Sequence, residues 1–309
     1  MKKTTIGGQA LIEGLMMIGP KYSATAIRKP DGEIVVDKKP LPAKSKWSKI
    51  PLIRGVVNFV RQMVLGVKAL MYSADFMEYE ADEDNQSKLD KFIDKILGDK
   101  AKNAAIIIAV VISIAFSIGL FILLPNFIVS LISPGEKTTG GVILINLLEG
   151  VIRLVLLFSY LLLASRMKDI KRVWQYHGAE HKTIHAYEHG EELTVENVQK
   201  YTTKHPRCGT SFLFIVMLIS IVVFSFIGWH SVWINILVRL LLVPLVAGIS
   251  YEILRAAGRS EWKGIKFINA PGLALQRITT KEPDDSMVEV AIAAFSSVLV
   301  AEDENADKW

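Results

Sequence analysis

The chain has 309 residues, 51% of them apolar, with a mean hydropathy of +0.34 and a formal charge of +5 at pH 7. That is enough material for one or two domains. A lone cysteine rules out an internal disulfide framework. The basic excess does not imply nucleic acid, because positive-inside loop asymmetry in a membrane protein produces it unaided.

Residues 1–50 break repeatedly at Gly7, Gly8, Gly14 and Gly19-Pro20. The stretch SATAIRKPDGEIVVDKKP alternates around Asp31-Gly32, which predicts a β-hairpin in a small β-containing cytoplasmic cap. Glu13 sits among small and apolar residues in GGQALIEGLMMIGP. A surface carboxylate in a glycine-rich turn is the expected reading, with a reach to a metal site as the other.

Residues 51–103 begin with an amphipathic helix over Leu52–Met77. Arg54, Arg61 and Lys68 recur every seven residues against Val56, Val57, Val60, Val64 and Val67. Such a helix is expected at the inner leaflet with its basic stripe among anionic lipid headgroups, although packing on a transmembrane bundle leaves the same pattern. An acidic linker, EYEADEDNQSKLDKF, and a short helix over Leu89–Leu97 follow.

Four apolar blocks are long enough to cross a bilayer: Ala104–Ile132 and Val142–Ala164 within residues 104–164, then Ser211–Trp229 and Val232–Tyr251 within residues 211–257. Glu149 and Arg153 are spaced to neutralise each other one helical turn apart, and Arg239 is the charge in the fourth block. The first block starts after about a hundred residues with no leader before it, so it is expected to act as its own insertion signal. Eight Lys and Arg lie between Arg166 and Arg207, while Ser133–Gly141 and Gly228–Ser231 hold one lysine together. Those short links are expected outside, with both termini and the 165–210 connection cytoplasmic in a multi-pass protein of the cell membrane. In the tail, 258–309, Pro283 and its acidic neighbours open a helix. The expected fold is mainly α: about four transmembrane helices, an interfacial helix and the N-terminal hairpin.

The connection carries the chemistry. YHGAEHKTIHAYEH places four of six histidines at 177, 181, 185 and 189, with Glu180 and Glu188 among them. On a helix His177 and His181 stack one turn apart beside Glu180, in the H-x-x-E-H order in which two histidines hold zinc and the glutamate deprotonates a bound water. The blander reading is a solvated histidine stripe. Further ligands come from HPRCGTSF, where His205 and Cys208 can turn toward one ion. Four protein ligands make a closed, structural site. If His205 or Cys208 stays away, a water position opens for hydrolysis, and Glu188 is one more candidate ligand. The donor set favours zinc over other divalent transition metals.

Taken together, GGQALIEGLMMIGP, YHGAEHKTIHAYE, HPRCGTSF and PGLALQRITTKEPDDSMVEVAIAA resemble the YqhQ-like family of bacterial membrane proteins across nearly the whole chain. The resemblance implies a metal-dependent enzyme with its site at His177, Glu180, His181, His205 and Cys208, and implies no substrate. Two functions follow. One is a membrane metal-dependent hydrolase acting on a peptide or lipid-linked substrate. The other is a non-enzymatic membrane factor, for membrane-protein biogenesis or as a ribosome or translocon accessory, with a structural zinc and a protein partner at its cytoplasmic face. No serine triad, phosphate-cradling glycine loop or nucleotide fingerprint competes with them.

Overall fold

The computed structural model describes residues 3–43, 45–77, 108–132, 138–227, 231–259 and 265–299. The expected acidic linker and the short helix over Leu89–Leu97 lie outside them. The chain is mainly helical, with a four-stranded antiparallel sheet at its start. The strands are β1 (Gly7–Leu11), β2 (Gly14–Ile18), β3 (Tyr22–Arg28) and β4 (Ile34–Pro40). The helices are α1 (Ile53–Met77), α2 (Ile108–Ile132), α3 (Thr139–Ala164), α4 (Lys168–His189), α5 (Val195–Gln199), α6 (Gly209–Ser225), α7 (Val232–Arg259), α8 (Ile265–Thr279) and α9 (Asp285–Val298). Contacts divide the chain into two compact units, 1–76 with 160–219 and 244–309, and 77–159 with 220–243.

In the first unit the sheet is a meander in the order β1-β2-β3-β4. The hairpin expected around Asp31-Gly32 is β3-β4, with Gly32 at φ +88°. GGQALIEGLMMIGP forms a second hairpin, β1-β2, linked by Ile12 and Glu13, the latter in the left-handed region at φ +49°. Strand β2 shows no alternation because both its faces are covered. Leu15 and Met17 enter a core with Tyr176 and Ala179 of α4 and Met287, Val290, Ala294 and Phe295 of α9, whereas Met16 packs with Leu11 and with Ala69 of α1. Helix α9 starts as expected from its acids, with Asp284 Oδ1 accepting from Met287 N–H at 3.0 Å.

Helix α1 packs within this unit. Gly55 lies against Gly248 and Tyr251 of α7, Arg54 pairs with Glu252, and Asn58 Nδ2 donates to the Tyr251 hydroxyl at 3.0 Å. A Cβ on Gly55 would come within 3.0 Å of the Gly248 Cα, so the absent side chain sets the helix separation.

Three helices among the described residues are long and apolar enough to cross a membrane: Ile108–Ile132, Gly140–Ala164 and Trp233–Ala257. In the second unit, Ile112, Phe116 and Leu131 of α2 are each more than 60% exposed, which is compatible with lipid contact. Glu149 is buried there with Arg153 at 2.8 Å and Arg239 at 2.5 Å, so the expected neutralisation holds and recruits a second arginine. Arg153 Nε also donates, at 2.8 Å, to the Phe121 carbonyl inside a π-helical turn, Gly119–Leu123, and Arg239 Nη2 donates to Asn146 Oδ1 at 3.0 Å. These contacts tie the charges into architecture.

Candidate metal centre

Helix α4 presents the histidines. It ends in a Schellman motif: Gly190 turns left-handed at φ +77°, its N–H meets the Tyr187 carbonyl, and Glu191 N–H meets the Ala186 carbonyl at 3.1 Å. Its middle can be closely approached because residue 178 is glycine. The Lys281 carbonyl occupies the place a Cβ would take, and Lys281 N–H donates to the Trp174 carbonyl at 2.9 Å. That approach carries the end of α8 onto the helix, where His177 Nδ1–H donates to the Thr279 carbonyl at 2.9 Å. One turn on, His181 Nδ1–H donates to the Thr203 carbonyl at 2.5 Å. A carbonyl only accepts, so both rings carry hydrogen on Nδ1 and leave Nε2 as a lone pair in the neutral form.

Cys208, immediately before α6, faces those rings. Its Sγ lies 3.1 Å from His177 Nε2, and Thr210 N–H donates to it at 3.4 Å. Ligand atoms of His177, His181 and Cys208 all lie within 4.8 Å of one another. Burial alone would raise the Cys208 thiol, but His181 and His177 beside it hold it well below its ordinary value. Burial pushes His177 down, and the facing Cys208 more than reverses this, leaving it raised to about 9. The trio has the donors of a divalent site once His177 gives up the proton it shares with the thiolate, as metal binding requires: two imidazole nitrogens, each ring oriented by a backbone acceptor, and a thiolate.

Glu180 is buried on the same face. Gly8 N–H on the edge strand β1 donates to its Oε1 at 2.8 Å, and burial raises its pKa despite the opposing pull of His177 and His181. A cavity of about 390 Å³ opens beside it, walled by Thr4–Ala10 on one side and by Glu180, His177, His181 and Cys208 on the other.

His205 lines the same cavity with its ring 5.6 Å from that of His181, but its ligand atoms group within 4.8 Å with those of His185 and Glu188 rather than with the trio. Its backbone is clamped by buried Gln276, which accepts from His205 N–H and donates to its carbonyl, each at 2.8 Å. Its Nδ1 lies 3.3 Å from the Arg207 backbone nitrogen, and its Nε2 lies 3.4 Å from Arg207 Nη2 and 3.6 Å from Glu188 Oε2. Glu188 also accepts from Thr4 N–H at 2.7 Å and from Arg207. Burial would raise this carboxyl, but the neighbouring His205 ring, the Thr4 N–H and Arg207 bring it to about 2. Burial holds His205 down at about 4. With the Arg207 guanidinium paired to Glu188 and 3.4 Å from the His205 ring, this second group has the character of an ion-pair network. His185 Nε2–H donates to the Lys204 carbonyl at 2.8 Å.

Glu13 lies in its hairpin turn, paired with Arg172 and approached by the Tyr176 hydroxyl at 3.4 Å. Sequence reasoning missed Gly8, Gln276 and the carbonyls of Thr203 and Thr279. The Gly7-Gly8 pair was the only local signal, marking a backbone that something approaches closely.

A profile described as "Protein of unknown function (DUF1385)" matches residues 50–301. The chain is 37% identical over 297 residues to the uncharacterized protein YqhQ of Bacillus subtilis (strain 168), spanning 95% of this chain and 92% of that relative. No solved structure matches.

Proposed function

The chain belongs to the DUF1385 family, and we propose that it is a membrane metal-dependent hydrolase in which His177, His181 and Cys208 hold one zinc ion beside Glu180. The observation that carries this reading is the pair of imidazoles whose Nδ1–H groups are committed to the Thr279 and Thr203 carbonyls while the trio borders a cavity that Glu180 also lines. A closed structural site wants four protein ligands. With His205 beside Glu188 and Arg207, three remain, and an ion held by them would keep a position open to the cavity that all three line.

Zinc bound there supplies a Lewis acid that brings a water proton within reach near neutral pH. Glu180, raised by burial and held through one oxygen by Gly8 N–H, accepts that proton and returns it to the leaving group. The backbone acceptors of His177 and His181 fix the ring planes throughout.

The finer membrane arrangement belongs to the same proposal. Helix α6 has 17 residues, roughly 25 Å at 1.5 Å per residue, and serves as a fourth span at the short end of the range. The excess of Lys and Arg in the 165–210 connection over the two short links supports a cytoplasmic side for both termini and the metal centre, with α1 at the interface. Lys68 on α1 is available to anionic headgroups, whereas Arg54 is engaged by Glu252.

The test is elemental analysis of full-length protein purified in detergent. The expected result is one zinc per chain, kept in Glu180→Gln and lost in His181→Ala and Cys208→Ala. A wild type that holds no metal when refed zinc would overturn the reading. The 3.1 Å contact between His177 Nε2 and Cys208 Sγ favours one alternative, a thiolate nucleophile with an imidazole partner. Wild type that takes up no zinc on refeeding, and whose Cys208 is alkylated as fast with zinc present as without it, points there.

A further inference from the structure

The cavity at the metal centre has a neighbour. A second cavity of about 330 Å³ shares Thr5, Gly7, Gly8 and Gly209 with the first and continues away from the metal ligands. Its other walls include Ile18, Phe59, Phe212, Tyr251 and Leu254, with Asn58 and Gln62 adding amides. Phe59 belongs to amphipathic α1, Phe212 lies one turn into apolar α6, and Tyr251 and Leu254 lie in the Trp233–Ala257 stretch long enough to cross a bilayer. The Phe59 and Phe212 rings meet at 6.0 Å. The ligand Cys208 directly precedes Gly209, so the polar chemistry stops where the apolar helix begins.

At the seam stands Gly7. A Cβ built there meets nothing within 4 Å, so the strand leaves open space between the two cavities. Beside it, Gly8 N–H is taken by Glu180. An extended peptide laid along β1 would find that ladder donor occupied, and it would carry an N–H and a C=O per residue into a wall of aromatic and aliphatic side chains. An alkyl chain has no polar groups to satisfy and gains from each methylene removed from water.

We infer that the substrate is a membrane amphiphile, with its hydrolysable head at Glu180 and the metal trio and its acyl or isoprenoid tail passing over Gly7 into the second cavity. The fate of the head rests on the hydrolase reading above. The tail site rests on the two cavities alone. An enzyme so built takes its substrate from the bilayer, past Phe59, Phe212 and Leu254, which wall the second cavity.

The test uses full-length protein in phosphatidylcholine nanodiscs and palmitic acid carrying a mid-chain diazirine, with labelled residues mapped by mass spectrometry. Labels are expected on Phe59, Phe212 and Leu254. In Gly7→Leu they should fall about tenfold, the loss expected when a side chain takes the room of two or so methylenes. Zinc content should stay unchanged in that variant. Phe212→Trp, which narrows the second cavity from another wall, should act the same way. Labels confined to outward faces such as Phe116 and Leu131, or labels on the cavity residues indifferent to both substitutions, would overturn the inference. A decapeptide that displaces the label better than unlabelled palmitate does would overturn it as well. Labelling sensitive to Gly7→Leu in protein without zinc would sustain the tail site while removing the hydrolase reading.

Discussion

His177 Nε2 and Cys208 Sγ meet at 3.1 Å although 31 residues separate them, and the ring is held in place by the Thr279 carbonyl behind it. A metal between them would shield the sulfur. In zinc-loaded protein Cys208 is therefore expected to resist iodoacetamide, and after chelation to react stoichiometrically, with zinc restoring protection. Alkylation at the same rate in both forms would sink the assignment of Cys208 as a ligand.

Gly178 sets how closely the turn after α8 approaches the histidine helix. Gly178→Val drives two methyl groups into the Lys281 backbone, and because Thr279 rides on that segment, the His177 ring loses its acceptor. Zinc affinity should fall by about 10- to 100-fold, the usual effect of losing a group that orients a metal-binding histidine. Competition with a chromogenic chelator measures it.

Gln276 separates positioning from ligation. Gln276→Leu leaves the His205 N–H and C=O buried without partners and should cost about 2–3 kcal/mol in denaturant unfolding. Zinc affinity should change less than in Gly178→Val, since His205 stands outside the trio. Equal losses in both variants would return His205 to the ligand set.

Acid should destabilise the protein in two windows. Glu188 is held at about 2 in the fold against an ordinary 4.5, so between those values the unfolded chain binds more protons and stability rises with pH. This contribution, about 3 kcal/mol, is fully present above pH 4.5 and is lost as pH falls toward 2. His205, held at about 4 against 6.5, acts with the same sign over the higher window. Melting curves of wild type and Glu188→Gln from pH 7 to pH 2.5 test this: the variant should start lower and lose its slope below pH 4.5.

Glu13→Gln removes one half of a partly exposed ion pair with Arg172 and should change stability by less than about 1 kcal/mol, with zinc content intact. Loss of zinc would show that the carboxylate reaches the centre after all.

How much of this could be read in the chain depended on whether the partners were local. His177, Glu180 and His181 share a helix, so their spacing alone brought them to one face, and Cys208 followed from its short turn. The apolar blocks of α2, α3 and α7 announced themselves by length and composition. The β1-β2 hairpin did not, because Met16 and Met17 are buried on opposite faces and the alternation that marks a half-exposed strand is absent. His205 looked like a fourth ligand from its spacing to Cys208. In the structure its backbone is held by Gln276, 71 residues away, and its ring lies beside the Glu188 carboxylate, neither of which leaves a local trace.

The bonds that complete the centre also impose an order on its making. Glu180 and Glu188 receive their N–H donors from residues 172 and 184 positions earlier, and His177 finds its acceptor 102 positions later. A ribosome delivers Thr279 only after every described helix from α1 to α7 has been synthesised. The full set of contacts around His177 therefore forms only after those helices are in place, because its ring acceptor comes from the far end of α8.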